Sequence, residues 1–141
     1  MEYHFTDEKP IYAQLLDFFK IEIISGERAE GSRVESVREL AVKAKVNPNT
    51  MQKALTELER IGLIKTERTS GRFVTDDKEK IATMRTEFAN SEILAFLKKM
   101  ELLGFNKAQV IELIDKNDAE NAANALDAKI SYTTANAAKG E

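Results

Sequence analysis

The chain has 141 residues, of which 43% are hydrophobic and 32% charged, with a net charge of −3, no cysteine and one histidine, His4. That length accommodates one compact domain with an appendage rather than two ordinary domains. Disulfides, thiolate sites, a catalytic triad and a histidine metal cluster are excluded by composition, and no apolar run approaches the roughly 20 residues of a membrane-spanning helix.

The amino-terminal stretch "MEYHFTDEKPIY" carries no secretory pattern, so a cytoplasmic address without membrane contact is expected. Residues 10–25, "PIYAQLLDFFKIEIIS", begin with proline at a suitable first helical position. They place Ile11, Leu15, Phe18 or Phe19, and Ile23 on one face, so a first helix is predicted there. Gly26 and Gly31 break it. Ser36 followed by Glu39 then forms a capping box, each side chain satisfying the other residue's backbone donor, and opens a second helix to residue 44. Val37, Leu40, Ala41 and Ala44 make its apolar stripe, with Arg38 and Glu39 outside.

Pro48 follows directly, in "KVNPNTMQKAL". A proline inside a helix costs roughly 3 kcal/mol, so it marks a boundary. Asn47 is a favoured N-cap and the position after it a favoured place for proline, so a third helix begins at Pro48 and runs to about Ile61, before Gly62. Met51, Leu55 and Leu58 face inward; Asn49, Thr50, Gln52, Lys53 and Thr56 face outward. A hairpin follows, with strands near 63–67 and 72–75 around the turn Ser70-Gly71.

From Lys78 to Leu103 the spacing of Ile81, Met84, Phe88, Leu94, Leu97, Met100 and Leu103 predicts one helix about 39 Å long. A further helix is expected from Lys107 to Lys116, capped by Asn106. The alanine-rich remainder reads as a marginal helix, frayed over about the last 20 residues.

Three helices, the second and third joined by a tight turn, and then a hairpin describe a winged helix-turn-helix. The whole is a mainly α protein with a small β-hairpin: a DNA-binding domain over 1–76 and a short all-helical dimerisation unit over 77–141. Residues 33–75 carry nine basic and five acidic side chains, a local excess of four positive charges on an acidic protein.

The blocks "PIYAQL" (10–15), Gly26 and Gly31, "ESVRELA" (35–41), "VNPNTM" (46–51), "ALTELERIGLI" (54–64) and "SGRFV" (70–74) resemble, in order and spacing, the GntR-type bacterial transcription regulators. The resemblance spans about half the chain. It implies DNA contacts by Arg38, by Asn49, Thr50 and Gln52 in the first turn of the recognition helix, and by Gly71 at the wing tip. The chain departs from the family where most members carry Pro-Ser in place of Glu35-Ser36, and many carry Ser-Arg in place of Asn47-Pro48. Its "VNPNT" form resembles the short-tailed YtrA-type branch, which implies helical dimerisation through the tail and leaves no room for a large effector domain.

Arg38, Lys53 and Arg72 are the candidate phosphate contacts, while Asn49 and Gln52 have amides suited to adenine and Thr50 suits base or phosphate. Against these stand plainer roles: Arg38 solvated or paired with Glu39 or Glu35, Asn47 as a cap alone, and Gly71 serving its turn. The winged-helix unit has its own core in Leu15, Phe19, Leu40, Leu55, Leu58 and Leu63, so the long apolar face from Ile81 to Leu103 points to a second copy of the chain.

A dimeric, sequence-specific repressor binding an inverted repeat is therefore expected, with double-stranded DNA as partner. The alternative is a winged-helix protein-interaction module, disfavoured by the polar and basic outward face of the third helix. No enzymatic role, cofactor or metal is expected. The stretch "DKNDAE" (115–120) has Ala119 and Glu120 where a calcium loop needs an oxygen ligand and a glycine, and no phosphate-cradling glycine loop is present. The residues identify no effector.

Overall fold

A computed structural model describes residues 2–139, with side chains as far as Leu126. The order is α1 (Ile11–Ile24), α2 (Val37–Ala44), α3 (Pro48–Arg60), β1 (Ile64–Glu67), β2 (Gly71–Val74), α4 (Lys78–Leu102) and α5 (Lys107–Lys139). Two compact units result, Met1–Ala89 and Asn90–Glu141, and α4 runs through the division between them.

In the first unit Leu15, Phe19 and Ile23 of α1 meet Leu40 of α2 and Met51, Leu55 and Leu58 of α3 in one core, closed by Leu63 and Val74. Two members of the expected α1 stripe lie elsewhere. Ile11 is 46% exposed, and Phe18 receives Tyr3 and Phe5 edge-on, at 5.4 and 5.7 Å between ring centroids. The amino-terminal segment thus packs its own aromatics on α1, and Gln14 ties it down through Thr6 and the Lys9 carbonyl. Pro10 sits one place before its expected position, as the capping residue rather than the first helical one.

The starts of α2 and α3 are both capped. Ser36 Oγ accepts from the Glu39 N–H at 3.2 Å, but the expected reciprocal bond is absent: Glu39 accepts the Ser36 hydroxyl instead of the backbone donor. At α3 the Asn47 side chain accepts from Asn49 N–H at 2.8 Å, with Pro48 at the first position. Between the helices Lys45 adopts a left-handed conformation, φ 56°, closing α2 while Val46 N–H returns to Ala41 O.

β1 and β2 pair antiparallel, Ile64 with Val74 through Glu67 with Gly71. A third edge comes from the loop before α2. Val34 N–H donates to Arg72 O, Val74 N–H to Ser32 O, and Arg33 bridges to Phe73. Three residues without alternation are too short a signal to read as a strand.

Asp77 caps α4 through Lys80 N–H. The expected division after residue 76 falls in this linker, whereas the compact unit continues to Ala89, because Ile81, Met84 and Phe88 pack against the first core. Arg85 adds a bond to the Ile24 carbonyl at 2.7 Å. This part of the long apolar face is therefore ordinary core.

In the second unit Gly104 turns the chain with φ 91°, and Asn106 and Gln109 cap α5 reciprocally at 2.9 Å. α5 does not stop at Lys116. It continues to Lys139, since alanine-rich sequence has high intrinsic helix propensity even where it lacks apolar anchors. The fraying expected over about the last 20 residues falls in part on residues 140–141, which lie outside the described residues.

Candidate nucleic-acid interface

The surface at issue combines the start of α2, the leading turns of α3 and the hairpin. The ground for α2 is prepared from both sides. On one side lies the backbone pairing of Val34 with Arg72. On the other, Arg28 Nη1 donates to Glu35 Oε2 at 2.7 Å, while its Nε pairs with Glu22, a residue of α1 only 4% exposed. Burial opposes the charge on Arg28, but its bonds to Glu35 and Glu22 outweigh this and raise its pKa. Burial likewise pushes the Glu35 carboxyl upward, and the bond from Arg28 overcomes it, so the net direction is down.

Arg38 projects from the first turn of α2 and is exposed. Of the plainer readings, pairing with Glu39 or Glu35 is not found, while a solvated Arg38 is. Glu39 is engaged by Ser36, and Glu35 by Arg28 and Lys43. Among the described residues Arg38 has no carboxylate partner, so its charge is available to an external anion.

On α3, Asn49 and Gln52 are exposed and Thr50 is half-buried. The amide of Gln52 donates to Thr56 Oγ1 at 3.2 Å, which leaves its carbonyl oxygen open. Lys53 lies 4.2 Å from the centroid of the Tyr12 ring, a cation–π contact that holds its stem against α1.

Gly71 opens β2 with φ 101°, in the left-handed region, and a Cβ there would stand 3.6 Å from the Arg33 guanidinium. Arg72 is not a free cation: its Nε meets Glu59 Oε1 at 3.2 Å, and the Thr66 hydroxyl donates to the same oxygen, tying the wing to α3. A cleft of about 580 Å³ lies between the start of α2 and the wing, lined in part by Arg33, Ser36, Thr66, Gly71 and Arg72.

The structure therefore leaves Arg38, Asn49 and Gln52 presented, Thr50 and Gly71 in supporting positions, and Lys53 and Arg72 occupied within the chain. It adds three cations that sequence reasoning counted in the local charge but did not single out. Arg33 beside the wing, Lys45 in the interhelical turn and Arg68 in the hairpin turn have no carboxylate partner among the described residues. Their signal was the absence of an acidic residue at pairing distance, which only the fold reveals.

Among the described residues no group of metal-ligating side chains gathers, and no helix is long and apolar enough to cross a membrane.

Residues 11–74 match the family described as bacterial regulatory proteins, gntR family. The chain is 34% identical over 112 residues to an uncharacterized HTH-type transcriptional regulator, YhcF, of Bacillus subtilis (strain 168), covering 79% of this chain and 93% of that protein. It is 41% identical over 68 residues to the HTH-type transcriptional repressor YtrA of the same organism, covering 48% of this chain and 52% of YtrA. A GntR family transcriptional regulator from Listeria monocytogenes has a similar structure, with TM-score 0.74 and 39% identity over 79% of this chain and 98% of that one.

Proposed function

Because the chain belongs to the GntR family, DNA-binding transcription regulators of bacteria, we propose that it is a cytoplasmic repressor that binds an inverted-repeat operator as a homodimer. The observation that carries the reading is the exposed leading end of α3, where Asn49 and Gln52 face solvent, Gln52 with its carbonyl oxygen open, beside a second helix whose Arg38 has no carboxylate partner among the described residues. In this geometry α3 enters the major groove and the wing lies along the flanking backbone.

Arg38 holds a phosphate, joined by Arg33, Lys45 and Arg68; Asn49 and Gln52 read base edges; Thr50 supports them. Gly71 permits close approach of the wing to the sugar-phosphate backbone. Lys53 is held by Tyr12, and Arg72 is partly neutralised by Glu59 through its Nε, leaving its Nη groups to meet phosphate, so their contributions are smaller.

Repression is suggested by the similarity to YtrA, an HTH-type transcriptional repressor. Homodimerisation is supported by Ile93, Leu94, Phe96, Leu102 and Leu103, large apolar side chains exposed on the second unit. Two copies related by a two-fold axis would meet two half-sites. A winged-helix protein-interaction module is favoured by nothing at α3, whose outward face is polar.

Gel-shift titration at two salt concentrations, on a duplex selected from genomic DNA, tests the proposal. Affinity should fall steeply with salt, and Arg38→Ala should weaken binding by about 1–3 kcal/mol with the fold intact. Insensitivity to both changes would refute it.

A further inference from the structure

We infer that Glu35 is a positioning residue for DNA binding: gripped by Arg28, it fixes the start of α2 from which Arg38 projects. The inference rests on the reading of Arg38 given above.

Glu35 stands one residue before the cap Ser36, in the loop that approaches α2 from α1. Its two carboxylate oxygens are held separately, Oε2 by Arg28 Nη1 at 2.7 Å and Oε1 by Lys43 Nζ at 3.4 Å. Arg28 is itself immobilised. Its Nε is bound to the buried Glu22, its guanidinium lies 5.2 Å from the Phe19 centroid, and its backbone N–H donates to Glu22 O at 2.8 Å. Glu35 thus docks the start of α2 on a cation anchored to α1. A half-desolvated, charge-assisted bond of this kind holds its geometry better than an exposed ion pair.

Electrostatics makes the placement pointed. Glu35 is an acidic side chain three residues before the arginine that meets a polyanion, so on charge alone its removal should strengthen binding. The positioning role predicts the opposite sign, which separates the two.

Arg28 is unsuited to the test, because its loss would strand a buried carboxylate at Glu22. Glu35→Gln keeps the shape and leaves the Arg28–Glu22 pair in place. The probe is a fluorescein-labelled duplex selected by the wild-type chain from a random-sequence pool, at one fixed salt concentration. Glu35→Gln should raise Kd by about tenfold. Glu35→Asp, which keeps the charge but withdraws it by one methylene, should also weaken binding.

In the free full-length chain, hydrogen exchange at the Glu39 and Leu40 amides should quicken in both variants, while the Met51 amide of α3 is unchanged. Unchanged or tighter binding by both variants, or unaltered Glu39 and Leu40 exchange, would overturn the inference. Arg38→Ala is measured alongside. If it too leaves binding unaltered, the reading of Arg38 fails; if it weakens binding while the Glu35 variants do not, only the positioning role fails. Should the pool yield no duplex, the reading of Arg38 fails and the inference that rests on it falls with it.

Discussion

In Met1–Ala89, Leu15, Phe19, Leu40, Met51, Leu55 and Leu58 are withdrawn from solvent, whereas in Asn90–Glu141 Val110 is the one buried hydrophobic among the described residues, and Ile93, Leu94, Phe96, Leu102 and Leu103 remain exposed. The first region buries most of its large apolar side chains within a single chain, Ile11 and Val42 being exposed exceptions, and its surface carries charge and polar side chains. The second leaves the same kind of side chain in water, an arrangement that a soluble protein sustains when another surface covers it.

The largest effect that would sharpen this contrast comes from truncation. A chain ending at Ala89 keeps Ile81, Met84 and Phe88 on the core and should melt cooperatively as a monomer, while the full chain sediments as a dimer. A dimeric truncated chain would place the association surface in the wrong region. Ending the chain at Asp76 instead should cost cooperativity, since Ile81 and the bond from Arg85 to Ile24 O are lost.

Single substitutions should divide the same way. Leu55→Ala, at a fully buried site, should lower the stability of the first unit by about 2–5 kcal/mol in chemical denaturation. Leu102→Ser, at a position 84% exposed, should change the unfolding of the truncation-resistant core by less than about 0.5 kcal/mol while weakening the dimer in a concentration series. Equal effects of the two on unfolding would break the distinction.

Much of this was legible in the residues. Asn47-Pro48 dictates the start of α3 because a residue without an N–H is tolerated where no helical acceptor waits, and the cap is found as expected. Other features depend on tertiary proximity. Nothing local to Arg72 predicts its capture by Glu59, 13 positions away, and nothing local to Lys53 predicts the Tyr12 ring. The end of α5 is legible only in part: the alanines after Lys116 favour the helix that continues there, while the scarcity of apolar anchors hides that it is continuous with the capped segment from Lys107.

A smaller effect concerns the turn between α2 and α3. Lys45 is the one non-glycine residue with positive φ among those described, a conformation costly for a side chain with a Cβ. Lys45→Gly should stabilise the first unit by about 0.5–1 kcal/mol, read from the urea midpoint, and should slightly weaken DNA binding through the lost charge. Destabilisation would mean that the lysine side chain contributes contacts beyond the turn.

The smallest effect is acid sensitivity. The pKa of Glu35 is lowered from 4.5 in the folded chain. Its stabilising contribution is therefore complete above the unfolded value and is lost as pH falls through the folded one. Being partly exposed, the site should contribute at most about 1 kcal/mol. Urea midpoints of wild type and Glu35→Gln should converge as pH falls from about 6 to about 3; a constant gap would locate the acid response elsewhere.

The central claim, that the leading end of α3 lies in the groove of a duplex, is tested most directly by mapping amide chemical shifts on addition of the selected DNA. The account predicts that the perturbations concentrate at Asn49, Thr50 and Gln52, with a second cluster at Arg38 and a third around Gly71. Perturbations confined to α4 and α5, with α3 silent at saturating duplex, would contradict it.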